Sequence, residues 1–463
     1  MQPPVVSDIS HYRILHRCVN LHASHICFGV WLLSMSQPVP LFDTYKTFES
    51  LTRHNLDAEL PAVLAALDRF PDPSEAAAGY SVVKLFLKSY AANQATFNSY
   101  RTHVERLLLW CLLIRHKPIL HLRRQDAEDF LTFCLNPPEN WVGPGTKSRF
   151  LRVGGRRKAD SDTYVPNPDW RPFNYTLDKA TRKLADETNA EIPEVQGYQM
   201  SQTTIAQVFT VCGSFYQFCI DEDYTDANPF RAVKQKSRYK QSVVSQVTSR
   251  SLTQLQWEFV IETAELMADQ EPEYHERTLF ILATLFSMYL RVSDLTGRDN
   301  WRPTMGSFKR SGDNWWFHVV GKGNKAAKIS VRDSYLPYLV RYRTSLGLTE
   351  LPYPGEQTPL LSSLDGRAGL SDRRIRELIQ QVFDAACARM IEEGLQQECD
   401  ALRAASLHWL RHTSATLDAP LRDMKDLQAD LRHESLTTTQ DSYYDSLDDQ
   451  RASSIKRIPI KGR

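Results

Sequence analysis

Apolar residues recur at helical spacing through most of the chain. Phe97, Tyr100, Val104, Leu107, Leu108 and Cys111 form a stripe of period 3.6, which predicts a helix that Thr96 can cap. Ala127, Phe130, Leu131 and Phe133 predict a second helix starting near Asp126. Phe209, Cys212, Phe215, Tyr216 and Cys219 mark a third over 201–228, with Thr204 and Gln207 at capping-box spacing and Asn228-Pro229 at its end. Thr253 and Gln256 repeat that spacing. Residues 281–298, ILATLFSMYLRVSDLTGR, make an apolar helix-like run ending at Arg291. The period changes in 315–331, WWFHVVGKGNKAAKISV, where aromatic and β-branched residues flank a Gly-Lys-Gly-Asn turn and predict a hairpin. Helical spacing returns in 406–444, with Leu410, Leu417, Leu421, Met424, Leu427 and Leu431 on the buried side. The expected fold is mainly α with a small antiparallel β-sheet or hairpin, an α+β arrangement.

The breaks divide the chain. Residues 1–79 are expected to be an N-terminal extension, an accessory DNA-binding arm or a protein contact. Its part after Met35 carries short helical pieces between prolines, and residues 1–34 read as an upstream extension of the frame. A helical domain is expected over 80–235. It is interrupted at about 137–190 by a Pro-rich stretch carrying Lys147, Arg149, Arg152, Arg156, Arg157 and Lys158 among Phe150, Tyr164 and Trp170. That stretch reads as a long loop or insertion. Its cations can bind phosphates and its rings can stack on bases or sugars; the alternative is a solvated charged loop. Residues 231–250 carry Arg231, Lys234, Lys236, Arg238, Lys240 and Arg250 without an acidic residue; about 236–250 of them read as a basic linker, and a last domain follows over 251–463.

Composition narrows the picture. With 463 residues and 42% hydrophobic content, two or three domains can each bury a core. A net charge of +1 excludes nothing about nucleic acid, so the clusters above carry that question. The eight cysteines are scattered without zinc-finger spacing, which suits a reducing, cytoplasmic setting and no metal. No apolar run reaches membrane-spanning length. ICFGVWLLSM at 26–35 comes nearest, but no clear small-residue cleavage site follows it, so no secretory signal is expected.

The candidate chemistry lies in the last domain. His408 and Arg411 are three apart on a helical segment and share a face. His433, Thr437, Thr438, Thr439, Tyr443 and Tyr444 follow. Singly, a histidine or tyrosine of this kind is more often a packing residue. Together with Arg291, Asp294 and the turn residue Lys322, the order is Arg, hairpin Lys, His-x-x-Arg, His, Tyr. That order resembles the tyrosine recombinase (phage integrase) family of site-specific DNA recombinases. The motifs lie over about 280–450, and the resemblance runs from about 80 to the C-terminus.

The resemblance implies a helical core-binding domain ahead of a catalytic domain, and double-stranded DNA as substrate. It implies reversible transesterification through a 3′-phosphotyrosyl link, with no cofactor and no ATP. It also implies a homo-tetramer on paired DNA sites, which exchanges a C-terminal segment, here Ser446–Arg463. Arg291 and Arg411 would bind the phosphate, and His408 would take a proton or orient the phosphate. His433 would donate to a phosphate oxygen, Lys322 would protonate the leaving 5′-oxygen, and Asp294 would hold one of the arginines. The Thr-Thr register falls on Ser442; the smallest shift makes Tyr443 the nucleophile, with Tyr444 as the alternative. Three departures stand out. Tyr289 and Arg432 occupy positions where the family usually has glycine, and the step from His433 to the tyrosine is one or two residues longer. A type IB-like topoisomerase and a DNA-binding protein that has lost catalysis are the alternatives.

Overall fold

The computed structural model describes residues 38–43, 60–91, 93–154, 163–175, 179–188, 198–234, 239, 250–298, 300–321, 324–444 and 456. In chain order come α1 (Pro61–Leu67), α2 (Pro73–Lys88), α3 (Gln94–Trp110), α4 (Arg124–Leu135), β1 (Val142–Pro144), β2 (Phe150–Val153), β3 (Thr163–Pro166), β4 (Phe173–Tyr175), α5 (Lys179–Thr188) and α6 (Gln202–Asp221). Then follow α7 (Gln254–Gln270), α8 (Pro272–Ser287), α9 (Val292–Thr296), β5 (Phe308–Ser311), β6 (Asn314–Val320), β7 (Ala326–Val331), α10 (Leu336–Ser345), α11 (Asp372–Glu392), α12 (Gln396–Arg403), α13 (Leu407–Asp418), α14 (Met424–Leu431) and α15 (Leu436–Thr439). The fold is mainly helical with small sheets. Two units form, 1–177 with 193–244, and 178–192 with 245–463.

In the first unit α2, α3 and α6 pack through an aromatic group. Phe86 meets Tyr90, Tyr100, Phe215 and Phe218 with ring centroids 5.2 to 5.8 Å apart. Two helices begin one turn earlier than their threonines suggest. Asn93, not Thr96, caps α3, and Ser201, not Thr204, caps α6; each side chain accepts from the threonine N–H, at 3.0 and 3.2 Å. Four of the free cysteines, Cys111, Cys134, Cys212 and Cys219, are buried here as small apolar residues.

Two sequence expectations change in this unit. The described parts of 35–79 are not an arm. Leu41, Phe42, Leu60, Val63 and Leu67 are core residues, and the Glu105 carboxylate accepts from the N–H groups of Leu41 and Phe42 at 2.8 and 3.1 Å. Nor do the described parts of the Pro-rich stretch form one long loop. β1 pairs in parallel with β4 and β2 antiparallel with β3, while Trp141, Phe150, Trp170 and Phe173 sink into the core. Rings expected to stack on bases are therefore packing residues. Arg149 moves with them: it is ion-paired to Glu105, donates to the Phe42 carbonyl at 2.8 Å and lies 4.7 Å from the Trp170 ring. Lys147, Arg152 and Lys234 are exposed. Arg156, Arg157, Lys158, Lys236, Arg238 and Lys240 lie outside the described residues.

In the second unit α8 is surrounded. Every residue from Arg277 to Ser287 is buried, as expected of a helix apolar on all sides. α7 covers it through Trp257 stacked on Phe286 at 3.6 Å, and α10 through Phe280 stacked on Tyr342 at 4.1 Å. Thr253 and Gln256 form the reciprocal cap of α7, at 3.1 and 3.0 Å. β5, β6 and β7 make one antiparallel sheet, with Val320 opposite Ala326 at the foot of the hairpin. Phe308, Phe317, Val319, Ile329 and Val331 face the core. α5 belongs to this unit: Lys179 donates to the Ala405 carbonyl and Lys183 pairs with Asp384 on α11. Leu421, expected inside, is 83% exposed, because α13 ends three residues before it. Among the described residues no helix is long and apolar enough to cross a membrane.

Candidate functional site

The site is built where two helices stop. α8 ends at Ser287, and Tyr289 turns left-handed at φ 51°, so the Leu290 N–H reaches back to the Leu285 carbonyl at 3.1 Å. α14 ends at Leu431, and Arg432 turns left-handed at φ 55°, with the His433 N–H 3.3 Å from the Gln428 carbonyl. This is the six-to-one closure usually made with glycine. A non-glycine residue there costs roughly 1–2 kcal/mol, and both side chains find strong partners. The Tyr289 hydroxyl donates to Asp418 and accepts from Arg422 at 3.1 Å. Arg432 pairs with Asp294.

Between these two ends lies Arg411 on α13, 2% exposed. Its guanidinium donates to the carbonyls of Tyr289 and Leu431, one from each helix end. The Tyr443 phenol lies within its electrostatic reach. Burial lowers its pKa to about 10, helped by nearby Arg291. Arg291 is the opposite case. It starts α9 on an exposed position, and among the described residues its guanidinium has no hydrogen-bond or ion-pair partner.

Three imidazoles surround the pair. His408 and His412 lie one turn apart on α13, with their Nε2 atoms 3.1 Å apart. His433 sets Nδ1 2.9 Å from the Thr439 hydroxyl, which leaves its Nε2 without a partner among the described residues. Burial lowers all three pKa values, with Arg411 contributing to each; His412 and His433 are pushed down to about 4. Burial beside Arg411 thus favours the uncharged form of each imidazole. Tyr443, in a wide turn after α15, is 1% exposed, with its ring parallel to His433 at 6.1 Å and tilted to His412 at 5.7 Å. Burial raises its pKa, while Arg411 and Arg291 pull it back. Five cationic or imidazole groups and one phenol thus converge where an anion can enter beside Arg291.

Asp294, 0% exposed, accepts from the Arg291 N–H at 2.9 Å. Its side-chain partners are Arg432 and, at 3.8 Å, Arg298. It does not take the guanidinium of Arg291 or Arg411. The hairpin turn lies beside this group: a Cβ on Gly321 would stand 3.6 Å from the Arg432 guanidinium. Lys322 itself, the Tyr444 side chain and all of Ser446–Arg463 except Lys456 lie outside the described residues. The two other lysines of the hairpin face elsewhere, Lys325 towards Glu434 at 3.4 Å and Lys328 over the Trp316 ring at 4.2 Å.

Of the residues picked from sequence, Arg291, His408, Arg411, His433 and Tyr443 come together. His412 and the Tyr289 carbonyl were missed, and Thr439 was named without a role. His412 was legible, since it follows Arg411 and sits one turn beyond His408 on the same face. The carbonyl was not, because a left-handed tyrosine has no sequence signature.

No protein-family model matches the chain, and no curated protein matches it. Solved structures do. One is the XerH site-specific recombinase bound to palindromic difH substrate, with a TM-score of 0.49 and 13% identity over 89% of this chain and 94% of that one. Another is the Tn1549 transposon integrase in complex with transposon right end DNA, with a TM-score of 0.46 and 14% identity over 82% and 98%. A third is a lambda integrase dimer bound to a COC′ core site, with a TM-score of 0.44 and 12% identity over 82% and 80%. The proteins that this chain resembles are tyrosine recombinases and integrases.

Proposed function

We propose that the protein is a site-specific DNA recombinase, a strand transferase that cuts and rejoins double-stranded DNA through a 3′-phosphotyrosyl intermediate. The observation that supports this most is the buried Tyr443 phenol set against His412 and His433 in the field of Arg411, while the neighbouring Arg291 stays open to an anion. A phosphodiester resists attack because its charge repels the nucleophile. Two guanidiniums neutralise that charge and stabilise the extra charge of the pentacovalent transition state. The phenol must lose its proton as it attacks, and the imidazoles of His408, His412 and His433 surround the site. The tyrosine oxygen bonds to phosphorus, the 5′-oxygen leaves, and Lys322 supplies its proton. A 5′-hydroxyl of a partner strand reverses the step, so no external energy source is needed. The working form is a homo-tetramer on paired sites, serving integration, excision or resolution of a mobile element.

The test is an exchange assay with duplexes recovered by binding selection. Two plasmids carrying the selected site should yield recombinant joints. Supercoil relaxation without exchange supports a topoisomerase instead, and neither activity supports a DNA-binding protein.

A further inference from the structure

Arg432 stands in a conformation that disfavours any side chain, yet among the described residues it is the only bidentate donor to the fully buried carboxylate of Asp294. Asp294 sits one helical turn from Arg291 and accepts from its backbone N–H. A buried carboxylate captures the nearest available cation. Three guanidiniums surround it. Arg298 is held back at 3.8 Å, because it donates to the Val320 carbonyl at 3.1 Å and to Ser293 at 3.3 Å. Arg432 fills the carboxylate with both terminal nitrogens. Arg291 is left over, and it is the one facing outwards. The Arg432 side chain is only 11% exposed and its Nε is buried without a partner among the described residues, so it is not itself presented to a ligand.

We propose that Arg432 is a positioning residue: by occupying Asp294 it keeps the Arg291 guanidinium free for a phosphate oxygen. The inference rests on the proposed strand-transfer reading for its kinetic consequence, but not for its structural one. Without Arg432, the vacant carboxylate draws Arg291 inwards and away from the phosphate. Displacing one catalytic group by about 1 Å costs on the order of a hundredfold in rate.

The experiment compares Arg432→Asn, which tolerates the left-handed turn, and Arg432→Lys, which restores one cation, with Arg432→Asn/Asp294→Asn, which removes the carboxylate's charge. Wild type is measured beside them. Crystal structures of Arg432→Asn and wild type read the partner of Arg291 without requiring any activity. Single-turnover covalent-adduct formation on a nicked duplex reads the chemistry, and thermal melting checks folding. The expected result is an Arg291–Asp294 ion pair in Arg432→Asn, with cleavage down on the order of a hundredfold. Arg432→Lys and the double variant should each recover at least half of that loss on a logarithmic scale. Arg298 closing on Asp294 while Arg291 stays out would overturn the proposal, as would a double variant no faster than Arg432→Asn. If wild type forms no adduct, the strand-transfer reading fails, and the crystal structures still decide whether Arg432 keeps Arg291 free.

Discussion

Arg291 and Arg411 carry the same charge in opposite settings, and substitution should separate them. Either alanine variant should abolish cleavage while leaving duplex binding largely intact, because the transition state gains more from them than the ground state. Their stabilities should differ. Arg411→Ala leaves the carbonyls of Tyr289 and Leu431 buried without a donor, at about 1–3 kcal/mol each. Exposed Arg291→Ala should change stability by about 0.5 kcal/mol or less. Urea unfolding reads the contrast, and equal midpoints would mean that Arg411 is not the internal clamp described. The histidines give a pH prediction. His412 and His433 are depressed from 6.5 to about 4, so on acidification the unfolded chain takes up protons that the folded one refuses. Their stabilising effect is full above pH 6.5 and is lost as pH falls towards 4. The urea midpoint should therefore drop between pH 7 and 5, and His412→Gln/His433→Gln should flatten the drop. An unchanged slope in that variant would place the titrating groups elsewhere. At this scale the sequence yields residue types and their order. It does not reveal which arginine is buried, because burial is decided by two helix ends more than a hundred residues apart in the chain.

At the scale of elements, the hairpin was the most legible part. A Gly-Lys-Gly-Asn turn between β-branched runs gave β6 and β7, although β5, which reads as a short polar strand, went unnoticed. The cap of α7 was legible for the same local reason. The caps of α3 and α6 slipped by one turn, since Asn93 and Ser201 are as good at capping as the threonines that follow them. The stop of α8 at Ser287 was not legible, because Tyr289 offers none of glycine's freedom. The turn of the hairpin carries its own prediction. Lys322→Ala should lose cleavage on ordinary DNA and regain it on a substrate with a bridging 5′-thiolate, which leaves without a proton. No rescue would make Lys322 a phosphate contact rather than the acid.

For the molecule as a whole, the helical class was readable from periodicity, whereas the Pro-rich stretch misled. Prolines and cations disguised a segment whose Trp141, Phe150, Trp170 and Phe173 complete a core. Two basic groups should now behave differently. Neutralising Lys234, Lys236 and Arg238 together should weaken binding to all duplexes and flatten its salt dependence, because phosphate contacts release counterions. Arg149→Ala should leave the salt slope alone and destabilise the first unit by about 3 kcal/mol, since it removes the cation paired with the buried Glu105 and leaves that carboxylate the Leu41 and Phe42 N–H groups. Affinity against salt concentration and urea unfolding decide both. An unchanged slope in the triple variant would mean that the linker does not touch DNA.

The central claim is that a tyrosine of this chain becomes joined to DNA. A nicked duplex that loses its 5′-hydroxyl fragment after cleavage traps the adduct, which survives denaturing electrophoresis. Wild type and Tyr444→Phe should both form it, and Tyr443→Phe should not, because Tyr443 is the phenol buried beside His412, His433 and Arg411. Adduct that persists in Tyr443→Phe and disappears in Tyr444→Phe would move the nucleophile by one residue. Adduct in both variants, or none in wild type, would contradict the account.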